Sequence, residues 1–272
     1  MEDLFFGFRS NEGRTKIAGG GLAINVLKEQ RDKKQYTLGP RPGFAKKAQL
    51  TGQGCRGSLV VSGALYSVHG YSVYKTDESL NSVLIGSLTT NVGKVYLRSN
   101  GFSVGVVDGA NFYDIGLTTD TLVTRTLPAG VLPTHIGYSQ GFFYINDAGT
   151  GDVYHHQDSF DTTTWNSLDQ SNAEYSPDTL LAIHDVSDNV LMLGEKTTEV
   201  WIYTGGINFV ISPVQGLTYE FGIAAKYSFA KVSDAGFFLA RDGGGGLQAV
   251  MMERGTQINP IQTLSAKKRE SK

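Results

Sequence analysis

The fold is decided by the stretch Gly57-Ser58-Leu59-Val60-Val61-Ser62-Gly63-Ala64-Leu65-Tyr66-Ser67-Val68-His69-Gly70-Tyr71-Ser72-Val73-Tyr74. Apolar and polar residues alternate along its last segment, Tyr71 to Tyr74, as in a strand with one buried face. Gly63 and Gly70 stand between the apolar segments, and glycine tolerates the positive φ that tight hairpin turns require. The stretch therefore predicts a meander of short antiparallel strands.

A related meander returns four times, at intervals of about 40 to 50 residues, and never with the same sequence. The further copies lie within 94–114, 135–154, 180–203 and 224–250. Val190–Leu193 and Phe237–Ala240 are apolar throughout, which predicts inner strands covered on both faces. A single meander buries only part of its apolar surface, so neighbouring units must stack. We therefore predict an all-β fold, a β-propeller of about five to six blades with an N-terminal arm.

Length and composition agree with one large β domain. The chain has 272 residues, of which 40% are hydrophobic, and single β-rich domains of about this size are common. Its only cysteine, Cys55, excludes an internal disulfide framework and favours a reducing compartment. The first residues are interrupted by charges, unlike a secretory leader, and no apolar stretch approaches the ~18 residues of a membrane helix. We expect a soluble protein with no membrane-spanning segment.

The chain divides into an N-terminal arm (1–55), a propeller body (56–265) and a basic tail (266–272). We expect the arm to contain a short helical turn around Ala23–Glu29 and to supply a strand that closes the last blade.

Charge is distributed unevenly over these parts. The net charge of −2 combines +5 in residues 28–47, +3 in the tail and −10 in residues 48–265. An acidic body is poorly suited to gripping duplex DNA, which needs a clustered basic surface. The basic flanks are either solvated segments or a docking arm for an acidic partner, including a neighbouring subunit.

The strongest metal candidate is His155-His156 beside Asp158 and Asp161. Adjacent side chains of a strand point to opposite faces, so the two histidines cannot easily chelate one ion. We interpret them as surface histidines beside a loop and predict no metal site.

Other chemical motifs are incomplete. Asn146–Asp152 has oxygen ligands but lacks the spaced series of a calcium loop, and Gly243–Gly246 lacks the Lys-Ser/Thr of a phosphate loop, which favours a flexible hairpin tip. Cys55 has no recognisable histidine partner. Ser159–Trp165 loosely resembles the Asp-box turn of sialidases, but occurs once and has Thr where that turn needs Gly. We predict no catalytic, cofactor-binding or metal-binding residues, and no enzyme.

Residues 158–177 are polar and rich in Ser, Thr, Asn and Asp, which predicts a long loop projecting from the third blade. Its aromatic residues leave an alternative function open: a carbohydrate-binding or glycosidase-type β-propeller that uses Trp165, Tyr154 and Tyr175. A glycosidase would need two carboxylates at a set separation, and no spacing in the sequence proposes such a pair.

Six segments of the chain carry a resemblance to a known family, and these are Leu22–Leu27, Leu38–Phe44, Arg56–Tyr74, Gly194–Gly205, Phe221–Ala225 and Asp234–Leu239. Together they resemble the packaged-DNA stabilisation proteins of short-tailed bacteriophages, also called tail accessory or nozzle proteins. The match departs at Lys28-Glu29-Gln30, where the family usually has Tyr or Pro followed by an acidic residue. Members of the family are also often longer.

The resemblance implies a structural protein of the virion tail, assembled in the host cytoplasm. Such proteins form a six-fold homo-oligomeric ring below the adaptor and portal proteins, extend the DNA channel and retain packaged DNA. The implied partners are the tail adaptor and portal, the tail fibre, spike or needle proteins, and packaged DNA that passes without sequence-specific binding. An acidic wall suits sliding DNA because it does not grip phosphates.

Overall fold

The computed structural model describes residues 26–32, 35–40, 50–51, 54–173, 178–207 and 209–261. These residues form 23 β-strands and no helix, so the predicted all-β class is confirmed. The predicted tail, 266–272, lies outside the described residues.

Residues 1–49 form a unit separate from residues 50–272. Its described part is an antiparallel hairpin of β1 (Val26–Asp32) and β2 (Gln35–Pro40). The predicted helical turn is therefore wrong over Val26–Glu29, because these residues pair with Thr37–Pro40 as a strand. Residues 23–25 lie outside the description. The two strands pair with each other, and closure of the last blade by the arm stays a prediction.

The larger unit contains five antiparallel sheets, and each is one blade. Blade 1 consists of β3 (Cys55–Val61), β4 (Ala64–His69), β5 (Ser72–Thr76) and β6 (Ser82–Ser87). Blade 2 consists of β7 (Tyr96–Ser99), β8 (Ser103–Val107), β9 (Phe112–Gly116) and β10 (Leu122–Arg125). Blade 3 consists of β11 (Ile136–Ser139), β12 (Phe142–Asn146), β13 (Asp152–Asp158) and β14 (Asp161–Asn172).

The last two blades follow the same order. Blade 4 consists of β15 (Leu180–Val186), β16 (Asn189–Gly194), β17 (Thr198–Tyr203) and β18 (Ile211–Tyr219). Blade 5 consists of β19 (Phe221–Ile223), β20 (Ala230–Val232), β21 (Ala235–Asp242), β22 (Leu247–Glu253) and β23 (Gln257–Pro260). Its innermost position is divided between β19 and β20, which both pair with β21.

Consecutive blades stack through four hydrophobic clusters. Glycines allow close approach at these seams. A Cβ at Gly222 of blade 5 would lie 2.3 Å from the Glu195 backbone of blade 4, and one at Gly137 of blade 3 would lie 2.8 Å from Ile183. Among the described residues, no hydrophobic cluster joins blade 5 to blade 1. Within the described part of the chain, one face of each of these two blades is therefore covered by no hydrophobic cluster.

The predicted loop at 158–177 is mostly a strand. Residues 161–172 form β14, the outermost strand of blade 3, and residues 174–177 lie outside the description. The prediction failed because an outermost strand faces solvent on its edge and on much of its surface, so its polar residues look like those of a loop.

Candidate functional site: the hairpin face and the propeller axis

In each blade, the turn after the first strand and the turn after the third strand emerge on the same side. We call this side the hairpin face. Among the described residues, it is formed by turns 62–63, 77–81, 100–102, 117–121, 140–141, 159–160, 187–188, 204–207 with 209–210, 233–234 and 254–256. Phe102 of blade 2 contacts Phe160 of blade 3 there, with ring centroids 5.2 Å apart. Ser139 donates a hydrogen bond to the Asp188 carbonyl, 3.4 Å away, so the turns form one continuous surface.

The hairpin face is acidic. Four of the five blades place exposed carboxylates on it, and these are Asp77, Glu78, Asp158, Asp161, Asp188, Asp234 and Glu253. Blade 2 contributes Asp120, whose carboxylate forms a 2.7 Å salt bridge with Lys75 of blade 1. The exposed cations on this face are Lys231 and Arg254. The opposite face is balanced, because its exposed charges are Glu195, Glu220 and Asp242 against Lys94, Lys196 and Arg241.

An ion-pair cluster lies where the propeller axis reaches the hairpin face. Asp185 on β15 is 6% exposed and accepts contacts from Arg98 on β7 and, at 3.0 Å, from Lys231 on β20. Three blades are thus tied together by one carboxylate. Removing a buried carboxylate of this kind would leave two cations unpaired, so Asp185 serves the structure of the axis.

Rings fill the axis below this cluster. Tyr96, His135, His184 and Tyr227 come from four blades or the segments that lead into them, and the Tyr96 and His135 centroids are 4.4 Å apart. Burial lowers the pKa of His135 to about 3 and lowers the pKa of His184 well below its usual value. The Nε2–H of His135 donates to the Lys226 carbonyl at 3.1 Å; this bond favours the protonated ring, but burial outweighs it and keeps the pKa low. Among the described residues, rings from blades 2 to 5 therefore pack against one another at the axis.

The two histidines considered as metal ligands are buried in blade 3. His155 and His156 are 3% and 0% exposed, so the interpretation as surface histidines was wrong: neighbouring blades cover both faces of β13. Their opposite orientation is confirmed, since His155 packs on Phe209 of blade 4 and His156 on Trp165. His156 donates from Nδ1 to the Asp158 carbonyl and accepts at Nε2 from the Phe143 amide, so both ring nitrogens are occupied.

The weaker sequence motifs have structural roles. Asp147 accepts the Leu132 amide at 2.9 Å, and Gly243–Gly246 is the turn between β21 and β22, as predicted, closed by Asp242. Cys55 is exposed at the start of β3. Asp161 accepts the Thr163 amide within its own turn. Among the described residues, no group of three or more His, Cys, Asp or Glu side chains is placed to hold a metal ion.

Of the three aromatic residues considered for carbohydrate binding, the structure describes two. Trp165 and Tyr154 are both 8% exposed, so they are not exposed loop residues as predicted, yet they line one groove on blade 3. Tyr175 lies outside the described residues. The sequence reasoning missed the acidic hairpin face; the available signal was the recurrence of Asp and Glu at turn positions.

Comparison with protein families matches residues 23–269 to the family described as bacteriophage P22 Gp10, beta-propeller. A search of curated proteins finds no match. Within the part of the chain that the structure describes, no helix is long and apolar enough to cross a membrane.

Solved structures that resemble this chain are propellers of diverse origin. A virginiamycin B lyase from Staphylococcus aureus has a TM-score of 0.51 and 8% identity, covering 88% of each chain. The WD40 domain of Neurospora crassa Pan2 also has a TM-score of 0.51 and 8% identity, covering 77% of this chain and 66% of that one. PorZ of Porphyromonas gingivalis has a TM-score of 0.50 and 10% identity, and this chain spans 36% of its length. At these identities the likeness shows the fold alone.

Proposed function

Because the chain belongs to the bacteriophage P22 Gp10 β-propeller family, we propose that it is a non-enzymatic structural protein of a short-tailed phage tail. Six copies form a ring below the adaptor and portal proteins, extend the DNA channel and retain packaged DNA. The ring assembles in the host cytoplasm and then contacts tail fibre, spike or needle proteins. Head-to-tail contacts between identical subunits close a ring when the rotation between them is right.

The observation that carries the proposal is the acidity of the hairpin face. Its exposed carboxylates outnumber its exposed cations, whereas the opposite face is balanced. Duplex DNA carries about one negative charge per 1.7 Å of its axis, so a basic wall would bind each passing phosphate. An acidic wall repels the backbone and lets DNA slide. We therefore assign the hairpin face to the DNA channel.

The filled axis supports the same arrangement. Tyr96, His135, His184 and Tyr227 occupy the centre of each propeller. DNA then passes through the central opening that the six subunits surround. Each propeller forms one part of the wall of this opening. The basic segment 28–47 remains available for contacts with a neighbouring subunit or the adaptor.

A charge-reversal experiment tests this assignment. The variant Asp188→Lys/Asp234→Lys replaces two negative charges on the hairpin face by two positive ones, a change of +4 in net charge, at positions where both side chains are exposed. Particles assembled with it should eject DNA more slowly in vitro than wild-type particles, because lysines at the wall bind phosphates and counterion release favours that binding. The delay should shrink as salt concentration rises.

The matched control is Glu195→Lys/Glu220→Lys, which makes the same charge change on the opposite face. It should leave the ejection rate unchanged. Equal delays in the two variants, or none in either, would show that the hairpin face does not line the channel.

A further inference from the structure

Each blade ends in an outer strand whose far edge pairs with no strand that the structure describes. An unpaired edge can pair with a strand of another molecule, and proteins usually block it with a charged residue or a proline. The outer strand of blade 1, β6, is uncharged and has no proline over Ser82–Ser87. The other four outer strands each contain such a residue, and these are Arg125 in β10, Asp161 and Asp169 in β14, Pro213 in β18 and Pro260 in β23.

The β6 strand also exposes large apolar side chains. Val83 and Leu84 are 62% and 54% exposed, and Leu80 in the turn before them is 49% exposed. Val83 pairs with Lys75 and Leu84 with Tyr74, so the two apolar side chains lie on opposite faces of the sheet. Among the described residues, no other outer strand exposes two adjacent large hydrophobic side chains. Neighbouring exposed apolar groups of this kind indicate a contact surface.

A bulge limits the length of this edge. Ile85 is an extra residue relative to β5, because Leu84 pairs with Tyr74 and Gly86 with Val73. The three residues before the bulge keep a regular register with β5. A bulge bends its strand and interrupts regular pairing, so a further strand can pair regularly with only this first part of β6. The contact would be smaller than the roughly 1,600 Å² of a standard protein interface, so we expect it to be weak and reversible.

Charge favours one partner and one direction. Asp77 and Glu78, which shortly precede β6, have exposed carboxylates, whereas residues 88–92 after β6 are uncharged. In a parallel pair of two β6 strands, the carboxylates of both copies would lie side by side and repel each other. In an antiparallel pair they lie at opposite ends of the contact. An outer strand of any other blade would bring its charge or proline to the edge, so a second β6 is the outer strand of this chain that fits best.

We propose that the free chain pairs with a second copy of itself through the outer edge of β6, in antiparallel direction, so that blade 1 of both copies forms one continuous sheet. Such a contact is two-fold and closes at two copies, unlike the head-to-tail contacts of a ring. It does not rest on the proposed tail function. Pairing of this kind covers the apolar edge of β6 while the chain is free in solution.

Sedimentation velocity of the whole chain tests the proposal. Wild-type protein should show a monomer–dimer equilibrium that shifts toward the dimer as protein concentration rises. The variant Val83→Lys/Leu84→Lys should weaken dimerisation by at least about tenfold, because the apolar contact is lost and lysines of the two copies approach each other. Hydrogen exchange at residues 82–84 of the wild type should slow as the dimer forms.

The control variant is Val123→Lys/Leu168→Lys, which makes the same two replacements at exposed positions of the outer strands β10 and β14. It should dimerise like wild type. All four altered side chains are exposed, so circular dichroism should show folded protein for both variants. A wild type that stays monomeric at every concentration, a dimer that survives the β6 substitutions, or equal weakening in the control would overturn the proposal. Larger rings that form with no dimer and are unaffected by the β6 substitutions would also overturn it, and would leave the proposed tail function standing.

Discussion

Blades 4 and 5 each have an apolar run in the strand next to the innermost one, but the two runs are buried to different extents. In β16, the second strand of blade 4, Val190 to Leu193 are all buried. In β21 of blade 5, Phe238 and Ala240 are buried but Phe237 and Leu239 are only half-buried. Blade 4 lies between two blades, whereas blade 5 stacks on blade 4 and on no other blade among the described residues.

The difference shows that burial on both faces is a property of the stack. An apolar run shows that a strand can be buried on both faces. How much of the run is actually buried depends on whether a neighbouring blade packs on each face. The prediction of an inner strand covered on both faces is confirmed for Val190–Leu193 and wrong for Phe237–Ala240, since no described neighbour covers the outer side of blade 5.

The largest expected effect comes from deleting a leucine in each strand. Leu191→Ala removes a side chain with no exposed surface and should lower the free energy of unfolding by about 2 to 5 kcal/mol. Leu239→Ala should cost about 1 kcal/mol or less, because a half-exposed side chain gives up less burial and its space remains open to water. Urea unfolding of both variants measures the two costs. Equal losses would mean that blade 5 is covered on both faces in solution.

The next largest loss of stability is expected at the contact between blades 4 and 5. Gly222→Ala should destabilise the chain by about 1 to 3 kcal/mol, since the new Cβ would lie 2.3 Å from the Glu195 backbone and the blades must move apart. Gly243→Ala is its control, because a Cβ there meets nothing within 4 Å. Thermal unfolding should separate the two variants clearly. A neutral Gly222→Ala would indicate that blade 5 is not docked as described.

The third effect is a pH dependence at the axis, which is the smallest of the three when it is counted per pH unit. His135 has a pKa of about 3 in the folded chain because Tyr96, His184, Tyr227 and Lys226 enclose it, so the unfolded chain takes up a proton first as pH falls. Stability is therefore complete above about pH 6.5 and decreases toward pH 3, by at most about 1.4 kcal/mol per pH unit from this residue. An NMR titration of the His135 ring measures the pKa directly. Titration near 6.5 would show that blade 5 leaves the axis open.

The sequence predicts the repeat because the apolar segments and the turn glycines recur at a near-constant interval, and that part of the fold follows from local chemistry. Gly63 illustrates it, with a φ of 75° in the turn between β3 and β4. The polar strand β14 was read as a loop, since a strand at the outer edge has few apolar positions to reveal its period.

The site was less accessible from sequence. His155 and His156 look like surface ligands, and only the stacking of blades on both sides of β13 buries them. The acidic hairpin face joins Asp188 and Asp234, which are distant in sequence, because every blade repeats the same path. Because its residues are brought together by the path of the chain through the blades, no local sequence motif predicts this surface.

Electron cryo-microscopy of intact particles of the phage that encodes this chain tests the channel assignment most directly. We predict six copies in a ring below the adaptor, with Asp188 and Asp234 of every copy turned toward the DNA and the propeller axes closed. A particle without the chain would contradict the proposed function. A ring whose opposite face, with Glu195 and Lys196, lines the channel would contradict the assignment of the hairpin face.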